Sequence, residues 1–353
     1  MKDNFKKFVF ALLPLFLLLL LAETGARYFY YERTGKNKGA LAIIAVANEV
    51  RFKVLSKMAS RFVATLPKEQ NLWQALYSAQ GKQLLDEFKA RYEENFEKLN
   101  QEIVSNKAKL IVLYLPSDDY KNPEQLLFSK LNREFFKSLA EKYKVDYLDL
   151  TDIFFQYPED QITLLPENGH LSRFGNQIVA LELGNFLEKE GYKNQKSDFS
   201  FSKRPKIMGD LSPNDNTVWG YGPTMPYRVI SNKQGFRMDY DLAFPKQKQR
   251  VLVLGDSFSF GPYLNNHDTY PVLLNKKYPE KEIINAGIAS YTITDEVSLF
   301  LERAKFVEPD IVVLQVLDND IPGFFASSMN KFNRKKISVV PSALEVDFLN
   351  KLK

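Results

Sequence analysis

The chain is expected to fold as an α/β domain around a parallel sheet, and three features predict it. Short, unbroken apolar runs at 110–115 (LIVLYL), 251–254 (VLVL) and 311–317 (IVVLQVL) suit strands buried on both faces. Each run stops abruptly, at Pro116, Gly255 or Asp318, residue types that turn a chain. Segments with apolar residues at helical spacing lie between the runs, and strands alternating with helices are the pattern of a sheet covered by helices.

Taken in order, the chain opens with Lys2, Lys6 and Lys7 ahead of an apolar run at 8–22 that only Pro14 interrupts. Its 15 residues fall short of the roughly 20 of a typical membrane-spanning helix and resemble the hydrophobic region of a signal sequence. The nearest small-x-small site, Thr24 and Ala26, is a poor cleavage site. Segment 1–26 is therefore read as an uncleaved signal-anchor, a transmembrane helix at the N-terminus, with a cleaved signal peptide as the alternative. Either reading places the rest of the chain outside the cytoplasm, on the periplasmic or cell-surface side. Segment 27–104 is a helical lead-in: Val50, Val54 and Met58 share one face, and Phe88, Tyr92, Phe96 and Leu99 share another beyond Pro67.

Segment 105–190 reads as strand, helix, strand, helix. The strand at 110–115 precedes a helix marked by Leu127, Leu131, Phe135 and Leu139; a strand at 145–150 precedes a loop and an amphipathic helix from 171 to about 189. Segment 191–250, rich in Pro, Gly, Asn, Ser and Lys, is a connector that holds Trp219, Tyr221 and Tyr227. Segment 251–325 returns to α/β: a strand running into Gly255, a second beginning near 282 and ending at Asn285-Ala286-Gly287, and a helix opened by a capping box of Thr292 and Asp295. The strand at 311–317 follows, and 326–353 forms a polar tail.

Composition narrows the chemistry. The 353 residues, 45% apolar and 14% aromatic, supply a sizeable core. A net charge of +5 arises from interleaved acids and bases with no concentrated basic stripe, so nucleic acid is not an expected partner. With no cysteine, disulfides, thiolate zinc sites and cysteine nucleophiles are excluded. His170 and His267 are the only histidines, so a histidine-rich metal site is excluded and one of these two must serve as any histidine base. No metal or other cofactor is expected.

Four motifs fall at strand ends or in the loops beyond them, where open parallel sheets place their active sites. In Gly255-Asp256-Ser257-Phe258-Ser259-Phe260-Gly261 the serine sits on a strand-to-helix turn, with its N–H placed to donate to an oxyanion. Gly287 lets a backbone N–H approach a substrate oxygen, and Asn319, within Asp318-Asn319-Asp320, offers an uncharged amide donor. In Glu167-Asn168-Gly169-His170 a carboxylate three residues ahead of a histidine can hold the imidazole in one tautomer. His267, in Asn265-Asn266-His267-Asp268, reads as an exposed loop residue.

Together the four resemble the blocks of the SGNH (GDSL-like) hydrolases: GDSFSFG the nucleophile block with Gly255 and Asp256 in support, Gly287 and Asn319 the oxyanion residues, and Glu-Asn-Gly-His the Asp-x-x-His block. The resemblance covers roughly 105–190 and 225–320. It implies a three-layer α/β/α sandwich and a serine enzyme that cleaves or transfers acyl esters, often acetyl groups on carbohydrate. Ser257 would be nucleophile, His170 base and Glu167 its partner; Ser257, Gly287 and Asn319 would hold the oxyanion. The chain departs from the family in carrying Glu167 for Asp and in presenting its histidine block first. The second departure reads as a circular permutation, with 105–190 and 251–325 completing one sheet. The expected activity is an extracytoplasmic esterase acting on acylated carbohydrate or polysaccharide. An O-acyltransferase modifying an exported polysaccharide and a catalytically inactive glycan-binding or scaffold protein stand as alternatives, the connector aromatics supplying stacking platforms in the last.

Overall fold

The computed structural model describes residues 79–116, 123–164, 168–192, 196–219, 226–317 and 320. The leader at 1–26, the lead-in up to 78 and the tail at 326–353 lie outside them. The chain divides into two compact units, Met1–Leu84 and Leu85–Lys353, and the sheet belongs to the second.

Five strands form one parallel sheet: β1 (Lys109–Leu115), β2 (Asp146–Asp149), β7 (Gln249–Leu254), β8 (Lys281–Asn285) and β9 (Ile311–Leu317). Their order across the sheet is β2-β1-β9-β7-β8. The two sequence stretches therefore join edge to edge within one sheet. β1 pairs with β9 along its whole length, from Lys109 opposite Ile311 to Leu115 opposite Leu317. The three central strands carry the unbroken apolar runs because both their faces are covered, and almost every residue in them is buried. The half-exposed, four-residue β2 closes one edge.

Helices lie on both faces. Strand residues Ile111, Leu113, Val251, Val253, Ile311 and Val313 point to one face, against α5 (Arg173–Lys189) and α7 (Tyr270–Lys277) through Val179, Leu183, Tyr270 and Leu274. On the other face the Tyr114 ring lies 5.9 Å from Phe136 of α2 (Pro123–Tyr143). Phe136 in turn lies 5.3 Å from Tyr92 of α1 (Ala79–Ser105). The face expected for Phe88, Tyr92, Phe96 and Leu99 is thus the buried face of α1 at Tyr92, Phe96 and Leu99. The capping box of Thr292 and Asp295 opens α8 (Ile293–Glu302) as the spacing predicts.

The structure corrects one expectation and refines another. The histidine segment, read as a loop opening a helix, is extended: β3 (Thr163–Leu164) and β4 (Asn168–Leu171) form a short antiparallel ribbon before α5. The connector contains its own antiparallel hairpin, β5 (Asn216–Trp219) and β6 (Tyr227–Ile230). A buried Lys246–Asp310 ion pair at 2.6 Å pins the connector ahead of β7. Asp310 also accepts from Ser197 N–H at 2.6 Å and Arg250 N–H at 2.8 Å. Buried carboxylates persist when paired and hydrogen-bonded in this way.

Candidate active site

The site is built at the carboxyl end of β7, beside the point where the strand order reverses between β7 and β9. Here the chain makes a sharp turn into α6 (Ser257–Phe260). Gly255 is required because any Cβ would stand 2.5 Å from Ser259 Oγ and 2.6 Å from Gln315 Oε1 of β9. The side chain of buried Asp256 caps the helix, accepting from Phe258 N–H at 2.9 Å. Ser259 Oγ is locked behind the turn, donating to Gln315 Oε1 at 2.9 Å and meeting Tyr270 Oη at 2.7 Å. Ser257 opens α6, so no intrahelical carbonyl can take its N–H.

Beyond the helix, the buried guanidinium of Arg237 organises the chain. It donates to the carbonyls of Phe260, Gly261 (2.8 Å) and Leu264 and to Asn266 Oδ1 (3.0 Å). Its charge is also spread over the faces of Phe260 and Tyr227. Burial lowers its pKa to about 10, which still leaves it charged at neutral pH.

The histidine arrives from the other sequence stretch. Ser172 caps α5 by accepting from Gly175 N–H at 3.1 Å, which fixes where β4 ends. The fully buried Asn176 of α5 accepts Tyr270 N–H at 2.9 Å, and Arg173 pairs with Asp268 at 3.0 Å. These contacts register the histidine ribbon against the serine loop. As a result His170 Nε2 lies 2.9 Å from Ser257 Oγ. Rings of Phe258 and Tyr263 lie 5.4 Å and 6.0 Å from the imidazole.

The other ring nitrogen, Nδ1, meets Asn168, a residue to which the sequence assigned no role. Asn168 Oδ1 accepts the backbone N–H of His170 at 3.0 Å and also contacts His170 Nδ1. The backbone N–H identifies that amide atom as the oxygen, because a flipped amide would set donor against donor. Nδ1 must then carry the ring proton, and Nε2 presents its lone pair to the Ser257 hydroxyl. Burial lowers the His170 pKa to about 4, so the ring is neutral at neutral pH. Among the described residues no carboxylate hydrogen-bonds this ring. The signal for Asn168 was a matter of period: in an extended segment, residues two apart share a face, whereas a three-residue spacing suits a helical turn.

Gly287 also differs from its expected part. Its N–H donates to Asn285 Oδ1 at 3.0 Å, and a Cβ there would stand 2.6 Å from both Phe260 N and Ser259 Cβ. The structure uses this glycine for close packing of the β8 turn against α6, helped by Asn285 Nδ2 donating to the Ser259 carbonyl at 2.9 Å. Glu167 and Asn319 lie outside the described residues. His267 lies exposed in a 3-10 turn, 3.4 Å from Asp268, away from the dyad's hydrogen bonds. Among the described residues no cluster of three or more His, Asp or Glu is placed to hold a metal ion, and no helix is long and apolar enough to cross a membrane.

No protein-family description matches the chain, and no curated protein matches it. Among solved structures, the chain is similar to the O-acetyltransferase domain of Pseudomonas putida AlgJ, with a TM-score of 0.43 and 13% identity over 70% of this chain and 91% of that one. Pseudomonas aeruginosa AlgX is similar at a TM-score of 0.39 and 13% identity, over 65% of this chain and 57% of that one. Bacillus cereus PatB1 is similar at 0.37 and 12% identity, over 68% and 92%. These are likenesses of coarse architecture and bring no residue correspondence with them.

Proposed function

We propose that the chain is a serine acyl-ester enzyme of the SGNH type, circularly permuted, acting outside the cytoplasm on O-acylated carbohydrate. The observation that carries the reading is the 2.9 Å contact between Ser257 Oγ and the proton-accepting nitrogen of His170. Counting strands from β7, the sheet order becomes 2-1-3-4-5, a common doubly wound order, and the histidine then follows the fifth strand. That renumbering supports the permutation.

In the proposed chemistry His170 Nε2 takes the Ser257 hydroxyl proton as Oγ bonds to the ester carbonyl carbon. The carbonyl oxygen becomes an oxyanion, received by Ser257 N–H, with Asn319 as the expected side-chain donor. Asn168 Oδ1 retains the Nδ1 proton and so orients the imidazolium, and Glu167, one residue earlier, remains the expected source of carboxylate charge beside it. The proton then passes from Nε2 to the leaving alkoxide, the C–O bond breaks, and an acyl-serine remains. Water resolves it in an esterase, whereas a sugar hydroxyl does so in an acyltransferase. We assign the reaction as far as the acyl-serine and favour hydrolysis. The apolar run at 8–22, read as a signal-anchor, supports membrane attachment and an extracytoplasmic site.

The test is labelling of the full chain with a serine-reactive phosphonate and turnover of p-nitrophenyl acetate. Ser257→Ala is expected to abolish both. A wild-type chain that neither labels nor turns over is a binding protein instead.

A further inference from the structure

A row of aromatic rings leads away from the dyad. Tyr263 lies 6.0 Å from the His170 ring, Tyr227 lies 5.7 Å from Tyr263, and Trp219 lies 6.4 Å from Tyr227. Trp219 packs against Phe260, of the nucleophile helix, at 5.5 Å, yet it remains 38% exposed. Its indole N–H is taken by Thr217 Oγ1 at 2.7 Å, so what the side chain offers outward is an apolar face rather than a donor. Tyr263 is held at a φ of 65°, a conformation uncommon outside glycine, and such strain gathers at functional sites.

From these contacts we propose that Trp219 and Tyr263 form a stacking subsite that seats one sugar ring of an acylated oligosaccharide beside the Ser257–His170 dyad. The inference rests on the acyl-ester reading of the dyad and adds where the carbohydrate lies. A sugar ring presents a C–H face that suits an aromatic face, and its hydroxyl rim stays in water. The charge of the ligand also follows. Arg237, cationic and with no carboxylate among its hydrogen-bond partners, stands 4.6 Å and 5.8 Å from the centroids of Phe260 and Tyr227. Trp219 packs on Phe260 and Tyr263 on Tyr227, so this cation stands behind the subsite and disfavours a second cation in front of it; the subsite takes a neutral or anionic sugar.

The chain has two tryptophans, Trp73 and Trp219. A full-length Trp73→Phe, Ser257→Ala chain in mild detergent leaves Trp219 as the only indole reporter and needs no turnover. Titration with β-1,4-linked glucose, uronate and glucosamine tetrasaccharides is expected to shift its emission saturably for the glucose or the uronate oligomer and not for the glucosamine oligomer. No shift with any of the three, or a shift confined to glucosamine, overturns the subsite. In the Ser257 chain, Trp219→Ala should lower kcat/KM for an acetylated glucose tetrasaccharide about tenfold more than for p-nitrophenyl acetate. Trp219→Tyr should restore most of that selectivity, and Val218→Ala, on the opposite face of the hairpin, should leave it unchanged. An unaltered selectivity in Trp219→Ala overturns the subsite while leaving the dyad reading intact. The dyad reading fails separately, by Ser257→Ala retaining the small-ester activity.

Discussion

Replacing Asn168 probes how a neutral partner tunes the base. Asn168→Ala removes the acceptor from two N–H groups of His170, one of them on a largely buried ring. An unsatisfied buried donor costs about 1–3 kcal/mol, and the ring also loses the contact that keeps its proton on Nδ1. If that loss appears in the transition state, kcat/KM on p-nitrophenyl acetate falls by roughly 10- to 100-fold. Asn168→Asp has a different signature. The base must be neutral to accept a proton, so wild-type activity should be retained in mild acid and fall only near pH 4, where burial places the His170 pKa. A carboxylate beside Nδ1 stabilises imidazolium, raising that pKa by about one to three pH units. The acid limb should move upward to match. The assay is kcat/KM from pH 3.5 to 9 for the three chains. An Asn168→Asp limb that superimposes on the wild type, with Asn168→Ala fully active, would remove Asn168 from the mechanism.

Further predictions concern stability. As pH falls, the unfolded chain binds a histidine proton near pH 6.5, before the folded one does near pH 4. The wild type should therefore lose about 3 kcal/mol more than His170→Asn between pH 7 and pH 4, read by urea denaturation. Gly255→Ala forces a methyl against Ser259 Oγ and Gln315 Oε1 and should destabilise by about 1–3 kcal/mol, with activity lost alongside the turn. Arg237→Met deprives three carbonyls of their guanidinium donor and should cost about 3 kcal/mol in thermal denaturation. Arg237→Lys should recover only part of this, since an ammonium cannot span the same fan of acceptors.

Much of the fold was legible residue by residue. Buried parallel strands write themselves as unbroken apolar runs, so β1, β7 and β9 stood out, and the turn after β7 announced Ser257 through the glycine it needs. The capping box at Thr292 and Asp295 is equally local, because its partners are three residues apart. The paired strands Asn216–Trp219 and Tyr227–Ile230 were missed because they are four residues each, too short for alternation to emerge. At the histidine, the three-residue spacing drew attention to Glu167, which lies outside the described residues, and the extended backbone of β4 adds Asn168 against the ring.

Composition and local pattern sufficed for an α/β class, for the exclusion of cysteine and histidine-rich metal chemistry, and for naming Ser257 and the two histidines as candidates. Which strand lies beside which was settled in three dimensions. Ser257 and His170 are 87 residues apart, and they meet because β1 zips onto β9 and α5 docks on α7 through Asn176 and Tyr270. The occupied N–H of Gly287 and the Arg237 clamp belong to the same category. Local sequence encodes burial and turning, which depend on near neighbours. The meeting of distant side chains depends on sheet order and helix docking, which arise from packing summed over the whole domain.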